Sequence, residues 1–95
     1  MIQVQIKETG IRMTGHACRA GPDGIDRACA AVSALTCALI NGLTDLTKDH
    51  IKANMDNGNA VVEWEDLSDG GKLLVDAWFL GLEDINNLYN CIEFQ

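Results

Sequence analysis

Residues 25–43 read IDRACAAVSALTCALINGL, and the fold follows from how this stretch is read. Cys29, Val32, Thr36, Leu39 and Leu43 fall three or four apart, the spacing of one helix face. Ala30, Ala31, Ala34 and Leu35 carry the apolar character around the cylinder, and no charge occurs from Ala28 to Leu43. A helix this uniformly apolar needs cover on more than one side. One cover is a sheet of its own chain, and a second subunit is a candidate for the other. Asp23 or Asp26 stands where a helix cap belongs, and Gly42 lies near the end.

Upstream, Ile2-Gln3-Val4-Gln5-Ile6-Lys7 and Ile11-Arg12-Met13-Thr14 alternate apolar with polar residues around a Thr9-Gly10 turn, predicting a β-hairpin. Between the hairpin and the helix lies a loop, residues 15–24, with three glycines and Pro22. Downstream, Asp49 to Met55 alternates weakly, Asp56-Asn57-Gly58-Asn59 is a turn, and Ala60 to Glu65 reads as the partner strand. Ser68-Asp69-Gly70-Gly71 then breaks the chain and caps a second helix from about Lys72 to Tyr89. That helix has Leu74, Ala77, Trp78, Leu82 (or Gly81), Ile85 and Leu88 inward. Cys91 to Phe94 reads as a short last strand. The order ββαββα(β) predicts an α+β fold in two layers, an antiparallel sheet with two helices on one face.

The 95 residues fit a single domain, 1–95. A domain of this size buries only about 60–65% of its unfolded surface, so self-association is a natural supplement. A net charge of −7 suits neither a nucleic-acid backbone nor an anionic membrane, and suits a basic protein better. No signal-peptide pattern and no run of about 18 apolar residues is visible. Four cysteines occur without a C-x-x-C pair. Cys29 and Cys37 are eight apart on one helix, about 12 Å along its axis, too far to bridge. Reduced thiols and a cytoplasmic location are expected. Cys37 and Cys91 read as core residues.

Cysteine is a nucleophile only as its thiolate, and a helix N-terminus or a neighbouring histidine favours that form. Cys29 lies in the first turn of the first helix, where unpaired amides could also hold an oxyanion. His16 ends the second strand, and the glycine loop can bring it to the helix start. Cys18, in the loop, competes for the role without the helix. A metal or redox site around His16, Cys18 and Cys29 lacks a fourth ligand. Each residue also has a plain reading: Cys29 as a small buried side chain, His16 as a surface residue.

Gly15-His16-Ala17, a glycine loop, then Asp26-Arg27-Ala28-Cys29-Ala30-Ala31-Val32-Ser33 resembles the signature of the ribosomal-processing cysteine proteases. Asn41-Gly42-Leu43 resembles that family's ending of the same helix. The resemblance implies His16 as base and Cys29 as nucleophile, with Asp26 shaping the site and Ser33, Gly21 and Gly24 near bound substrate. Asp26 also reads as a cap only, and Ser33 as a small residue at a close contact. Members of that family are homodimers that need no cofactor or metal. They trim a short N-terminal extension from a large-subunit ribosomal protein after aromatic residues, and relatives cut phage structural proteins. Two departures stand out: Arg27-Ala28 replaces two aliphatic residues, and the loop is one residue longer and contains Pro22. An inward Arg27 would favour the thiolate. The rival function is a non-catalytic dimeric peptide-binding module on the same fold.

Overall fold

The structure is a computed structural model that describes residues 1–95. It contains β1 (Ile2–Lys7), β2 (Gly10–Gly15), α1 (Arg27–Asp45), β3 (Ile51–Asp56), β4 (Asn59–Trp64), α2 (Asp69–Tyr89) and β5 (Ile92–Phe94). The strands form one sheet in the order β3-β4-β2-β1-β5. Three neighbouring pairs are antiparallel, and β5 joins β1 in parallel, so the last strand makes the sheet mixed.

This topology explains why both helices lie on one face. The units β2-α1-β3 and β4-α2-β5 each connect parallel strands across the sheet, and such crossovers are right-handed. The two units run in opposite directions across the sheet, and their strands also point in opposite directions. The two reversals cancel and send both helices to the same side. Ile2, Val4, Ile11, Met13, Ala60, Val62 and Trp64 are buried on that side. Their alternating neighbours Gln3, Gln5, Arg12, Thr14, Val61 and Glu63 face away.

α1 buries Ala28, Val32, Thr36, Leu39, Gly42 and Leu43, while α2 buries Gly71, Trp78 and Leu82. The helices meet closely at Gly81, where a Cβ would stand 2.5 Å from Leu35 Cδ2. The one buried polar side chain, Thr36, is fully satisfied. Its hydroxyl donates to the Val32 carbonyl (2.8 Å), accepts from Trp78 Nε1 (3.1 Å) and lies 3.7 Å from Met13 Sδ. By length and composition α1 could cross a membrane, with 19 residues and a mean hydropathy of 1.4. It is the one exception to the expected lack of such a segment, and here its buried stripe packs into the core.

Several boundaries shift by a residue or two. The first hairpin turns at Glu8-Thr9, and Gly10 already pairs with Lys7. There a Cβ would come 2.6 Å from the Val62 carbonyl oxygen, which explains the glycine. Ala77 and Leu88 face outward, contrary to the sequence expectation. Cys91 is buried as expected, and burial pushes its thiol pKa up. Cys37 is exposed, not a core residue. It lies on the flank of α1 towards the free edge of the sheet, with its sulfur 3.6 Å from Met55 Sδ.

Candidate active site

His16 follows β2 and is fixed from two sides. The α-amine of Met1 donates to its carbonyl (2.7 Å), and the preceding Gly15 amide donates to the Gly58 carbonyl (2.8 Å). The imidazole lies over the β3-β4 turn at Gly58. A Cβ on that residue would stand 2.8 Å from His16 Nε2, and its φ of +83° also favours glycine. Sequence reading assigns Gly58 only to a turn. Its role as the seat of the histidine depends on a β2–β4 pairing between residues some 45 positions apart, about which local pattern carries no signal.

Cys29 sits in the first turn of α1 and is half-buried. It shares a small recess, about 100 Å³ in volume, with His16 and Ser33. Ile2, Met13, Val32, Met55 and Ala60 line its apolar part, and the β3-β4 turn lines the rest. The structure thus brings together three of the expected site residues. A larger depression of about 910 Å³ lies on the helix-free face, among Lys7, Arg12, Lys52 and Glu63. It contains no cysteine, so size alone does not locate the chemistry.

Asp26 caps α1 from behind the recess. Its Oδ1 accepts from the Cys29 amide (2.9 Å) and its Oδ2 from the Arg19 amide (3.0 Å). These two bonds, the first the stronger influence, hold the Asp26 carboxyl below its ordinary pKa. Two consequences follow. The Cys29 amide is occupied and is not a free oxyanion donor; the first-turn amides of Arg27 and Ala28 remain without intrahelical acceptors. An ionised Asp26 also opposes the helix end's attraction for an anion.

The loop is tied down. Gly21 donates to Ile25 (3.0 Å) and Gly24 to Gly21 (2.9 Å), which folds these residues into a compact turn. Neither Gly21 nor Gly24 lines the recess. Arg27 points away from Cys29 and pairs with Asp23 of the loop, which holds the Asp23 carboxyl below its ordinary pKa. Arg27 therefore lends no charge to the sulfur. Arg19, not singled out by the sequence, reaches 70 residues along the chain. It donates to the Tyr89 carbonyl (3.0 Å) and the Asn90 carbonyl (2.7 Å), at the C-terminal end of α2, where a cation is favoured. Cys18 is exposed, with a left-handed φ of 53°, and lies outside the recess. No three His, Cys, Asp or Glu side chains converge on a point that could hold a metal.

The family model of cysteine protease Prp matches residues 1–92. The chain belongs to the Prp cysteine protease family. Among solved structures, the ribosomal processing protease Prp from S. aureus, in complex with a covalently linked product peptide, superposes with a TM-score of 0.84. It is 25% identical, and the match covers 99% of this chain and 95% of that one. SMU.848 from Streptococcus mutans superposes with a TM-score of 0.77 at 27% identity, covering 100% and 92%. No curated protein matches the chain in sequence. As a Prp-family member this chain is a cysteine protease of the ribosomal-processing type, which sets aside the reading as a non-catalytic peptide-binding module.

Proposed function

We propose that Cys29 and His16 form the catalytic dyad of an endopeptidase that trims a short N-terminal extension from a large-subunit ribosomal protein precursor. A phage structural protein of similar chemistry is the other substrate of this class. The observation that carries the reading is that His16, just after β2, and Cys29, thirteen positions on in α1, line one recess. The Prp from S. aureus bound to a substrate peptide supports a protein substrate.

In this mechanism the Cys29 thiolate attacks the scissile carbonyl. His16, having taken the thiol proton, gives it to the leaving amine, and water then hydrolyses the thioester with His16 as base. The amides of Arg27 and Ala28 are the candidate donors to the oxyanion. Asp26 acts as the cap that fixes the first turn, and Ser33 borders the substrate one turn beyond the sulfur. Gly21 and Gly24 serve the site by shaping the loop, without contacting substrate in the recess.

We also place the protein in the cytoplasm as a homodimer, with no nucleic-acid or membrane partner. Leu73, Leu80 and Leu88 on α2 are 70%, 61% and 81% exposed, and support an interface there.

The test is incubation with the host's ribosomal protein precursor, followed by mass spectrometry of the products. A single cut near the N-terminus is expected. Cys29→Ala abolishes it, and His16→Ala lowers kcat by about 10²–10⁴-fold, the usual worth of a general base. Cleavage by the Cys29→Ala protein ends the nucleophile assignment.

A further inference from the structure

His16 and Cys29 stand at opposite ends of the connection from β2 to α1, so the path of that connection sets where the sulfur lies relative to the imidazole. The His16 end is held by Gly58 and the Met1 amine, and the Cys29 end by the Asp26 cap. Between them the chain takes an unfavourable turn. Cys18 has a φ of 53°, in the left-handed region. A residue other than glycine stays there only where its surroundings hold it.

Arg19, the next residue, works in two directions. Its side chain donates to the Tyr89 carbonyl (3.0 Å) and the Asn90 carbonyl (2.7 Å), and more loosely to those of Cys18 (3.3 Å) and Ala17 (3.4 Å). Its amide donates to Asp26 Oδ2 (3.0 Å), on the same carboxylate whose Oδ1 accepts from the Cys29 amide. The far anchor is firm. Asn90 ends α2 in the left-handed conformation with its amide on the Asn86 carbonyl, and Asn86 Oδ1 accepts from the amides of Cys91 and Ile92 at the start of β5. The one ion pair of the chain joins Arg27 to Asp23, so carbonyls alone engage the Arg19 guanidinium. Arg19 lines no part of the recess and takes no part in the chemistry itself.

We propose that Arg19 is a positioning residue: it ties the loop to the C-terminal end of α2, which keeps Cys18 left-handed and the Arg19 amide on Asp26, and so holds the first turn of α1 with Cys29 in the recess beside His16. The inference rests on the assignment of Cys29 and His16 as the dyad. Removing the side chain frees the strained turn and leaves Asp26 with one of its two amide donors. Lysine keeps the charge but lacks the planar fork that reaches the Tyr89 and Asn90 carbonyls together.

The experiment measures cleavage of the ribosomal precursor peptide at a temperature where every variant is folded by circular dichroism. Arg19→Ala is expected to lower kcat by about 10–100-fold, the cost of a misplacement approaching 1 Å, with KM nearly unchanged because the recess lining is untouched. Arg19→Lys falls between the two proteins. Adding Cys18→Gly to Arg19→Ala restores part of the lost kcat, because glycine takes the left-handed turn without being held. Amide hydrogen exchange reads the same coupling without any cleavage. Arg19→Ala should speed exchange of the Cys29 amide by about tenfold relative to that of Gly71, which the Ser68 hydroxyl caps in the same way (3.1 Å). A global loss of stability moves both amides alike. Wild-type kcat in Arg19→Ala, a loss carried in KM, or a Cys29 amide that exchanges no faster against Gly71 overturns the proposal. If Arg19→Ala does not fold, Arg19→Lys carries the same three readouts. Cleavage that survives Cys29→Ala, with a Cys29 amide that still responds to Arg19, sinks the dyad and keeps Arg19 as the residue that positions the helix start. Cleavage that depends on Cys29, with exchange unmoved, sinks the role of Arg19 alone.

Discussion

The His16 imidazole rests in a space that only glycine at position 58 leaves open. A methyl group there would come 2.8 Å from Nε2 and 3.2 Å from Cε1, so the ring must move. Backbone strain is a second effect, since an L-residue in the left-handed region costs about 1–2 kcal/mol. Gly24 separates the two effects. Its φ of +77° is nearly that of Gly58, yet a Cβ there meets nothing within 4 Å, and it lies outside the recess. Gly58→Ala and Gly24→Ala should therefore destabilise the fold by similar amounts in thermal unfolding. Only Gly58→Ala should slow cleavage, by about tenfold or more, because a displaced base loses its alignment even after a shift of about 1 Å. Equal losses of kcat/KM in the two variants would show that strain, and not the collision with His16, governs the rate.

The start of α1 carries conflicting demands. The helix end attracts a thiolate, while the Asp26 carboxylate that caps it repels one. Asn caps as well as Asp without the charge. Asp26→Asn should keep the helix start and speed alkylation of Cys29 by iodoacetamide near pH 6.5, with peptide mapping to distinguish Cys29 from the other thiols. A slower reaction would mean that Asp26 assists the sulfur. The same substitution has a signature in acid. Because folding lowers the Asp26 pKa below its ordinary 3.8, its contribution is present above that pH and is lost as pH falls through the folded value. The Asn variant should unfold with a flatter pH dependence below about pH 4. Elements of this kind were legible in the sequence wherever the cause is local. A cap at Asp23 or Asp26, the Asn57-Gly58 turn and the Val32-Leu39-Leu43 stripe each follow from neighbours a few positions apart, and the structure puts the cap at Asp26. Cys37 and Leu88 misled because apolar type does not specify burial where a helix has an apolar face but no partner in its own chain. Arg19 and the parallel pairing of β5 escaped notice because their partners, Tyr89 and β1, lie about 70 to 90 residues away.

The whole molecule is elongated, 43 × 20 × 18 Å, and unfinished. Its surface of 5954 Å² exceeds the roughly 5400 Å² expected of a compact monomer of its mass. Only 19 of 95 residues are buried, so the core is too thin to account for an apolar content of 47%. Part of the remainder is displayed on the helix layer. Leu73, Ala77 and Leu80 recur at helical spacing along α2, and Ala30, Ala34 and Ala38 are exposed on the neighbouring α1. A second copy placed against this layer would cover both helices and leave the recess at the α1 N-terminus and the bare sheet face open. If it does, folding is linked to association, and the melting temperature of the wild-type protein rises with protein concentration. Leu80→Glu puts a charge into that contact at a position already 61% exposed, so the isolated subunit should change in stability by no more than about 0.5 kcal/mol. The variant should sediment as a monomer, melt at a temperature independent of concentration, and melt below the wild type at high concentration. A wild-type protein that sediments at 10.3 kDa across the same range would rule out the helix layer as an interface.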